Sequence, residues 1–322
     1  MQPSFKIVAN DQDITSLIRD RFISLTVSDS AGEESDTATI TIDNRDNKVA
    51  FPETGATLDI YMSSASGDLV FKGVYEVDEL EEPLDSYTLT ISAKAAKMKS
   101  SIKAPKSAVY DDVTFGGLVS SVAAAHGYES SVSDALASTA FAHIDQVKES
   151  DMALLTRLAA DIGATIKPIA NRLVAVPRGE SKSVSGQDLP TIEISDPTAS
   201  SGSVTILERN AFAAVMASWF DEAAQETKTF VTSGDSPCFE IAKPFANEEA
   251  ATAAATAKLK ELKRGRAKLS LTRPLSPDIV AEGRVVLSNH KASANGEWLV
   301  DRVTHTLESD SYASSVLSCV TA

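Results

Sequence analysis

One phrase occurs twice in this chain, as Gly73-Val74-Tyr75-Glu76-Val77-Asp78-Glu79-Leu80 and as Gly296-Glu297-Trp298-Leu299-Val300-Asp301-Arg302-Val303. Both read Gly-x-aromatic-x-Val-Asp-x-aliphatic, and the likeness extends to both sides. Upstream, Glu53-Thr54-Gly55 followed by Thr57-Leu58-Asp59-Ile60 aligns with Ala281-Glu282-Gly283 followed by Arg284-Val285-Val286-Leu287, and Thr39-Ile40-Thr41-Ile42 aligns with Lys268-Leu269-Ser270-Leu271. Downstream, Ser86-Tyr87-Thr88-Leu89-Thr90-Ile91 aligns with Ser311-Tyr312-Ala313-Ser314-Ser315-Val316. A repeated supersecondary unit constrains architecture before any local propensity does. The copies differ at Tyr75 and Glu79 against Trp298 and Arg302.

The repeats fall in strand-rich sequence. Period-two alternation marks Leu25–Val27, Ala38–Ile42, Leu58–Ile60, Tyr75–Val77 and Leu89–Ile91, with turn-forming residues at Ser28–Gly32, Asp43–Asn47 and a hairpin tip at Ser66–Asp68. Threonines on one face and aliphatics on the other predict a small antiparallel barrel or sandwich over residues 1–104. Residues 105–187 change character. Thr114 and Ser150 stand as N-caps of two helical patterns stopped by Gly127 and Gly163, and a hairpin about Ala170-Asn171 follows. This predicts a small α/β module, closed by a polar linker from Arg178 to Asp188. Residues 188–322 return to strands at Val204–Leu207, Val215–Phe220 and Lys228–Val231, with one alanine-rich helix at about 247–264. The fold class predicted is mainly β with α+β insertions: two similar antiparallel β-barrel domains, the α/β module and that helix.

The net charge of -15 over 322 residues argues against general nucleic-acid affinity, because the phosphate backbone rewards Lys and Arg. The two cysteines, Cys238 and Cys319, predict neither a zinc site nor a disulfide framework and fit synthesis in a reducing bacterial cytoplasm. No apolar run reaches the ~20 residues of a membrane span, and Met1–Lys6 lacks a signal-peptide pattern. No catalytic, cofactor or metal residue is assigned. His143, Asp145 and Glu149 match no strong metal motif, His126 reads as a helix C-terminal residue, and His290 and His305 lie in strand-like segments without a nucleophile elbow.

Two charged clusters remain. Glu76, Asp78, Glu79, Glu81 and Glu82 gather at a strand exit, where they read as a solvated face or, if they line a channel, as a wall that does not hold passing DNA. Lys258, Lys260, Lys263, Arg264 and Arg266 end the alanine-rich helix, complementing its dipole or docking onto an acidic protein partner.

Leu25–Arg45, read with Asp145–Asp151, Arg157–Ala164 and Phe245–Ala250, resembles the phage late control D family, central baseplate hubs of contractile tails and R-type pyocins. These are similar in fold to the N-terminal hub part of VgrG spikes. The resemblance implies a homotrimer whose two barrels per chain make a ring of six, adapting a sixfold tail tube to a threefold spike around a central channel. It further implies contacts with tail tube, spike, tape-measure and baseplate wedge proteins, with no membrane or specific nucleic acid among the partners. Because the chain ends soon after the second barrel, no fused lysozyme or effector activity is expected. The competing expectations are a tail-associated cell-wall hydrolase and a transcription regulator; acidity and the lack of a basic recognition helix oppose the latter.

Overall fold

The computed structural model describes residues 3–32, 34–65, 67–95, 100–169, 171–207, 212–234, 236–310 and 312–322. Glu33, Ser66, Ala170 and Ser311, each part of a motif or turn above, lie outside the described residues. In the first unit, period-two patterning becomes β1 (Ser4–Ala9), β2 (Gln12–Asp13), β3 (Phe22–Ser30), β4 (Thr37–Asp43), β5 (Thr57–Ser63), β6 (Val70–Glu81) and β7 (Thr88–Lys94), with a short α1 (Thr15–Ile18) between β2 and β3. They pair in the order β3-β4-β7-β6-β5-β1-β2. Ile7 of β1 and Leu25 and Val27 of β3 share one apolar cluster with Ile40, Leu58, Tyr75 and Leu89, so the sheet curls over itself. Among the described residues no ladder joins β1 to β3, so the curl is not closed by hydrogen bonds. β3 runs on to Ser30, which moves the turn expected at Ser28–Gly32 to the end of that stretch.

Next come α2 (Ser100–Lys103), β8 (Pro105–Thr114), α3 (Phe115–Ala125), β9 (Glu129–Val132), α4 (Asp134–Ala137), β10 (Ala140–Ser150), α5 (Asp151–Asp161), β11 (Ala164–Ile169) and β12 (Arg172–Pro177). Thr114 Oγ1 accepts from Gly117 N at 3.2 Å and Ser150 Oγ from Ala153 N at 3.2 Å, the N-caps expected from sequence. The sheet β11-β12-β9 packs beneath α3 and α5, while β8 and β10 form a separate two-stranded ribbon. The stretch after Pro177 is ordered: Lys182 bridges Asp188 and Ser181 is buried.

The last third holds β13 (Thr191–Ile194), β14 (Ser201–Ile206), β15 (Ala214–Asp221), β16 (Glu226–Val231), β17 (Cys238–Glu240), α6 (Glu248–Arg264), β18 (Ala267–Pro274), β19 (Arg284–Leu287), β20 (Gly296–Glu308) and β21 (Ala313–Thr321). Here the insertion is more than a helix. β15, β16 and β17 form their own sheet, which buries Val215, Ala217 and Trp219 against Ala251, Ala255 and Leu259 of α6. It lies against the α/β module, where Lys243 Nζ meets Asp161 at 2.6 Å and a Cβ at Gly163 would stand 3.0 Å from the Ala257 Cβ. His290 falls in the bend between β19 and β20, not in a strand; His305 is in β20.

The duplication is borne out by register. β14-β18-β21-β20-β19-β13 repeats the order β3-β4-β7-β6-β5-β1, although β13 pairs β19 in parallel where β1 pairs β5 antiparallel. Leu58 opposes Tyr75 as Val285 opposes Trp298, and Ile60 opposes Gly73 as Leu287 opposes Gly296. Both glycines have positive φ, 134° and 124°. The flanking alignment shifts. Val77 exchanges hydrogen bonds with Gly55 and Ala56, and Val300 with Glu282 and Gly283, so Gly55 corresponds to Glu282 rather than to Gly283. Both of those residues are left-handed, at φ 92° and 61°. Likewise Ile91 corresponds to Leu317, one residue later than the sequence alignment places it, and Thr39 to Ser270, two residues later.

The two units form one sheet. β20 pairs β19 through Leu299 and then, beyond a bulge at Asp301, pairs β3 from Arg302↔Ser30 to Glu308↔Ser24.

Candidate functional site

Strand alternation sends aliphatics of both units into their cores and leaves hydroxyls on the opposite face. Because β20 joins β3, that face is continuous. One row runs Ser201, Thr272, Val316, Thr304, Ser28, Thr37, Lys94, Glu76 across eight strands. A second runs Ser314, Thr306, Thr26, Thr39, Ser92, Glu79, and a third runs Glu308, Ser24, Thr41, Thr90, Glu81. Hydroxyls touch across the joint, with Ser28 Oγ 3.3 Å from Thr304 Oγ1 and Thr26 Oγ1 3.5 Å from Thr306 Oγ1; Thr41 Oγ1 lies 3.5 Å from Thr90 Oγ1. Short hydroxyls on such a face donate and accept hydrogen bonds to water without fixed charge, so it can lie beside a moving polymer and hold it weakly.

The five acids separate. By register Glu76, Glu79 and Glu81 share the hydroxyl face, at its β6 edge. Asp78 is the bulge residue and binds Lys94. Glu82 accepts from Asn44 Nδ2 at 2.7 Å. The basic tract separates too. Lys258 Nζ pairs with Glu261 at 2.9 Å and lies 5.4 Å from the Phe239 ring centroid, Lys260 stands 4.0 Å from Glu180, and Arg264 donates to Arg178 O at 2.9 Å. Lys263 and Arg266 are exposed, with no side-chain hydrogen bond or ion pair among the described residues.

The histidines are structural in their contacts. His126 ends α3, as expected, but its ring reaches Asp151 Oδ2 at 2.7 Å and Ser101 Oγ at 2.9 Å. Buried Asp151 also meets Lys106 at 2.9 Å and Gln146 Nε2 at 3.0 Å. Burial pushes its carboxyl up, but the hydrogen bonds from His126, Lys106 and Gln146 outweigh this and hold it below the usual range. Sequence reasoning missed this knot, because its members are separated by loops and joined only by packing. His143 bridges Asp111 at 2.6 Å and Asp145 at 3.3 Å in the open, while Glu149 is held by Arg157. Among the described residues no cluster could hold a metal ion, and no helix is long and apolar enough to cross a membrane. Fully buried His305 has Nδ1 2.8 Å from Ser315 Oγ and Nε2 3.1 Å from Ile279 O. The carbonyl needs a donor, so Nε2 carries the proton and Nδ1 accepts.

A duplicated β unit, fused into one sheet and carrying two satellite modules, is the fold of a phage tail protein. The 43 kDa tail protein of prophage MuSo2 from Shewanella oneidensis superposes with a TM-score of 0.70 over 99% of this chain and 98% of its own, at 15% identity. Residues 43–311 match the model of the phage tail baseplate hub (GPD) family, and the chain belongs to that family. It is 29% identical to a probable baseplate hub protein of Escherichia phage 186 (98% of this chain, 92% of the relative) and 26% identical to that of Escherichia phage P2, with the same coverage. The protein is thus a baseplate component built into the virion tail.

Proposed function

We propose that three copies of this chain form a ring of six β units at the centre of the baseplate, presenting quasi-sixfold symmetry to the tail tube and threefold symmetry to the spike. The observation that carries this reading is the joint between the copies. The two units of one chain are already side by side and strand-paired, as neighbours in such a ring must be. In this reading the hydroxyl face lines the central channel, with Glu76, Glu79 and Glu81 facing the passing DNA. The remaining contacts are with the tape-measure and wedge proteins, for which Lys263 offers positive charge. The protein acts as a structural element without enzymatic turnover; the acids from Glu76 to Glu82 serve as surface or as partners of Lys94 and Asn44.

Light scattering of the purified chain, alone and mixed with its spike, tests the ring. A threefold mass with the spike supports it, and a strict monomer in both samples contradicts it. Incubation with peptidoglycan separates the hydrolase reading, since release of soluble fragments would overturn the structural role.

A further inference from the structure

The ring reading leaves open which surfaces join one copy to the next, and the internal joint supplies an answer that rests on that reading. We propose that the edge of β6 beyond Asp78 in one copy pairs with the free edge of β14 in the next, in the register that β20 and β3 already adopt within the chain.

The correspondence fixes the partners. Val300 matches Val77, and both are followed by a one-residue bulge, so Arg302, Val303 and Thr304 match Glu79, Leu80 and Glu81 by register; β6 ends at Glu81, and Glu82 to Asp85 continue the match to His305–Glu308 by sequence order alone. On the other side, Ala38 and Leu269 oppose Ala93 and Cys319, and these are paired in turn by Val77 and Val300. Val27 pairs Ala38 as Val204 pairs Leu269, so Ser24-Leu25-Thr26-Val27-Ser28 matches Ser201-Gly202-Ser203-Val204-Thr205. The similarity of those segments extends the repeat to β3 and β14. Transferring the observed pairs Val303↔Asp29, Thr304↔Ser28, Thr306↔Thr26 and Leu307↔Leu25 gives Leu80↔Ile206, Glu81↔Thr205, Pro83↔Ser203 and Leu84↔Gly202 between copies.

Both edges are open. β14 ends the sheet, and past Asp78 β6 has β7 on one side and no strand on the other among the described residues. An uncovered edge is a template for another strand. The apolar groups fit. Leu307 is 3% exposed, in the first unit's core, whereas its counterpart Leu84 is fully exposed, and Ile206 is 69% exposed. Opposite Leu84 stands Gly202, which has no side chain to compete for the space and whose own Cβ would sit 2.0 Å from Ser270 O.

Charge agrees, with the signs exchanged. Within the chain Arg302 binds Glu34, which precedes β4. Between copies the first position holds Glu79 and the second holds Gly265-Arg266, which precedes β18. Exposed Lys268 pairs Thr205 and would thereby lie on the same row as Glu81. Pro83 is also compatible. Glu308 donates its N–H to Tyr312 O on the β21 side and Ser309 donates to Ile23 O, so by alternation Thr306 points toward β21. Its match Pro83 follows the end of β6, and were the strand to continue on the same alternation it would lack a donor on the β7 side only, leaving the edge offered to the neighbour intact.

The register is tested by cysteine pairing in a Cys238→Ser background. Glu81 and Thr205 would be a non-hydrogen-bonded pair, whose Cα atoms lie about 4.5 Å apart and suit a disulfide. Virions carrying Glu81→Cys with Thr205→Cys are expected to yield hub dimers and trimers on a non-reducing gel, collapsing to monomer on reduction. The frame-shifted pair Glu81→Cys with Ser201→Cys is expected to yield at least tenfold less. Equal or inverted yields, or no cross-link in tails that contain a trimeric hub, overturn the register while leaving the ring standing. A monomeric hub within the tail overturns both. If the cysteine variants fail to assemble, Glu79→Arg and Arg266→Glu decide. Each alone is expected to lower infective titre and the double to restore it; no restoration overturns the pairing.

Discussion

Asp78 and Asp301 occupy the same bulge in the two copies of the repeat. Each is the extra residue by which β6 and β20 slip against β7 and β21. In β20 the slip redirects hydrogen bonding: Val300 bonds Gly283 on the β19 side, and the next carbonyl, of Asp301, accepts from Ala31 beyond β3. A bulge bends and twists its strand, which lets one strand serve two neighbours in succession. The Val-Asp of the repeated phrase is therefore the hinge at which one unit ends and the next begins.

A part-buried ion pair ties the first unit to the α/β module. Lys167 of β11 donates to Asp36 at 3.0 Å and to Ser30 O at 2.9 Å. Burial raises the Asp36 carboxyl above its usual range, against the opposing pull of Lys167. Removing one member leaves the other poorly satisfied, so Lys167→Ala is expected to cost about 1–3 kcal/mol in urea unfolding. Lys167→Met with Asp36→Asn is expected to recover most of that.

His305 gives stability a pH dependence. Burial, with a smaller contribution from Lys72, lowers its imidazole from 6.5 to about 3. Between those values the unfolded chain binds a proton that the folded chain excludes, so stability from this site is complete above 6.5, is lost as pH falls and rises with pH by about 1.4 kcal/mol per unit. Urea midpoints measured from pH 7.5 to pH 4.5 are expected to fall, and His305→Asn to start lower at neutral pH with a shallower slope. An unchanged slope contradicts the assignment.

How much of this was legible beforehand depended on what the sequence signal measured. Alternation reports a strand with one wet face, and β3 to β7 have that property. β8 and β10 have it too, with Tyr110 and Ile144 turned to the module's core, but residue type does not follow burial: Val109 and Val147 are exposed while Gln146 is buried, so hydrophobicity leaves little period. Val215–Phe220 and Lys228–Val231 read as strands of the second barrel, because hydrophobicity does not say which sheet a strand joins, and the three residues of β17 are too few to carry a pattern. The repeated phrase itself is in register in the structure, while its flanks shift by one or two residues. Matching glycine to glycine assumed one residue type for one conformation, whereas the left-handed position holds Gly55 in one copy and Glu282 in the other. The acids from Glu76 to Glu82 form one run in the sequence. Their division among the hydroxyl face, Lys94 and Asn44 follows from the bulge, which only register shows.

The channel reading predicts that charge on the hydroxyl face matters more than shape. Thr41 lies in the middle of that face, away from the proposed joint between copies. Thr41→Lys in virions is expected to leave tail assembly intact and slow DNA delivery, with the delay relieved by added salt, because phosphate contacts weaken as counterions compete. Thr41→Ser is expected to behave as wild type. Delivery unaffected by the lysine would place this face away from the DNA.

Leu84 and Leu307 separate folding from assembly, since the repeat aligns them in sequence and they stand in opposite states of burial. Truncating Leu307 opens a cavity in a packed core, so Leu307→Ala is expected to cost about 2–5 kcal/mol in the isolated chain. Leu84 touches solvent in the free chain, and Leu84→Ala is expected to shift the denaturation midpoint by no more than about 0.5 kcal/mol. In the tail the order reverses in meaning. Leu84→Ala removes the apolar group that β14 of the next copy would cover, so hub incorporation measured in purified tails is expected to drop while the free protein melts normally. Should both variants destabilise the isolated chain equally, Leu84 is buried within its own unit and the equivalence of the two edges fails.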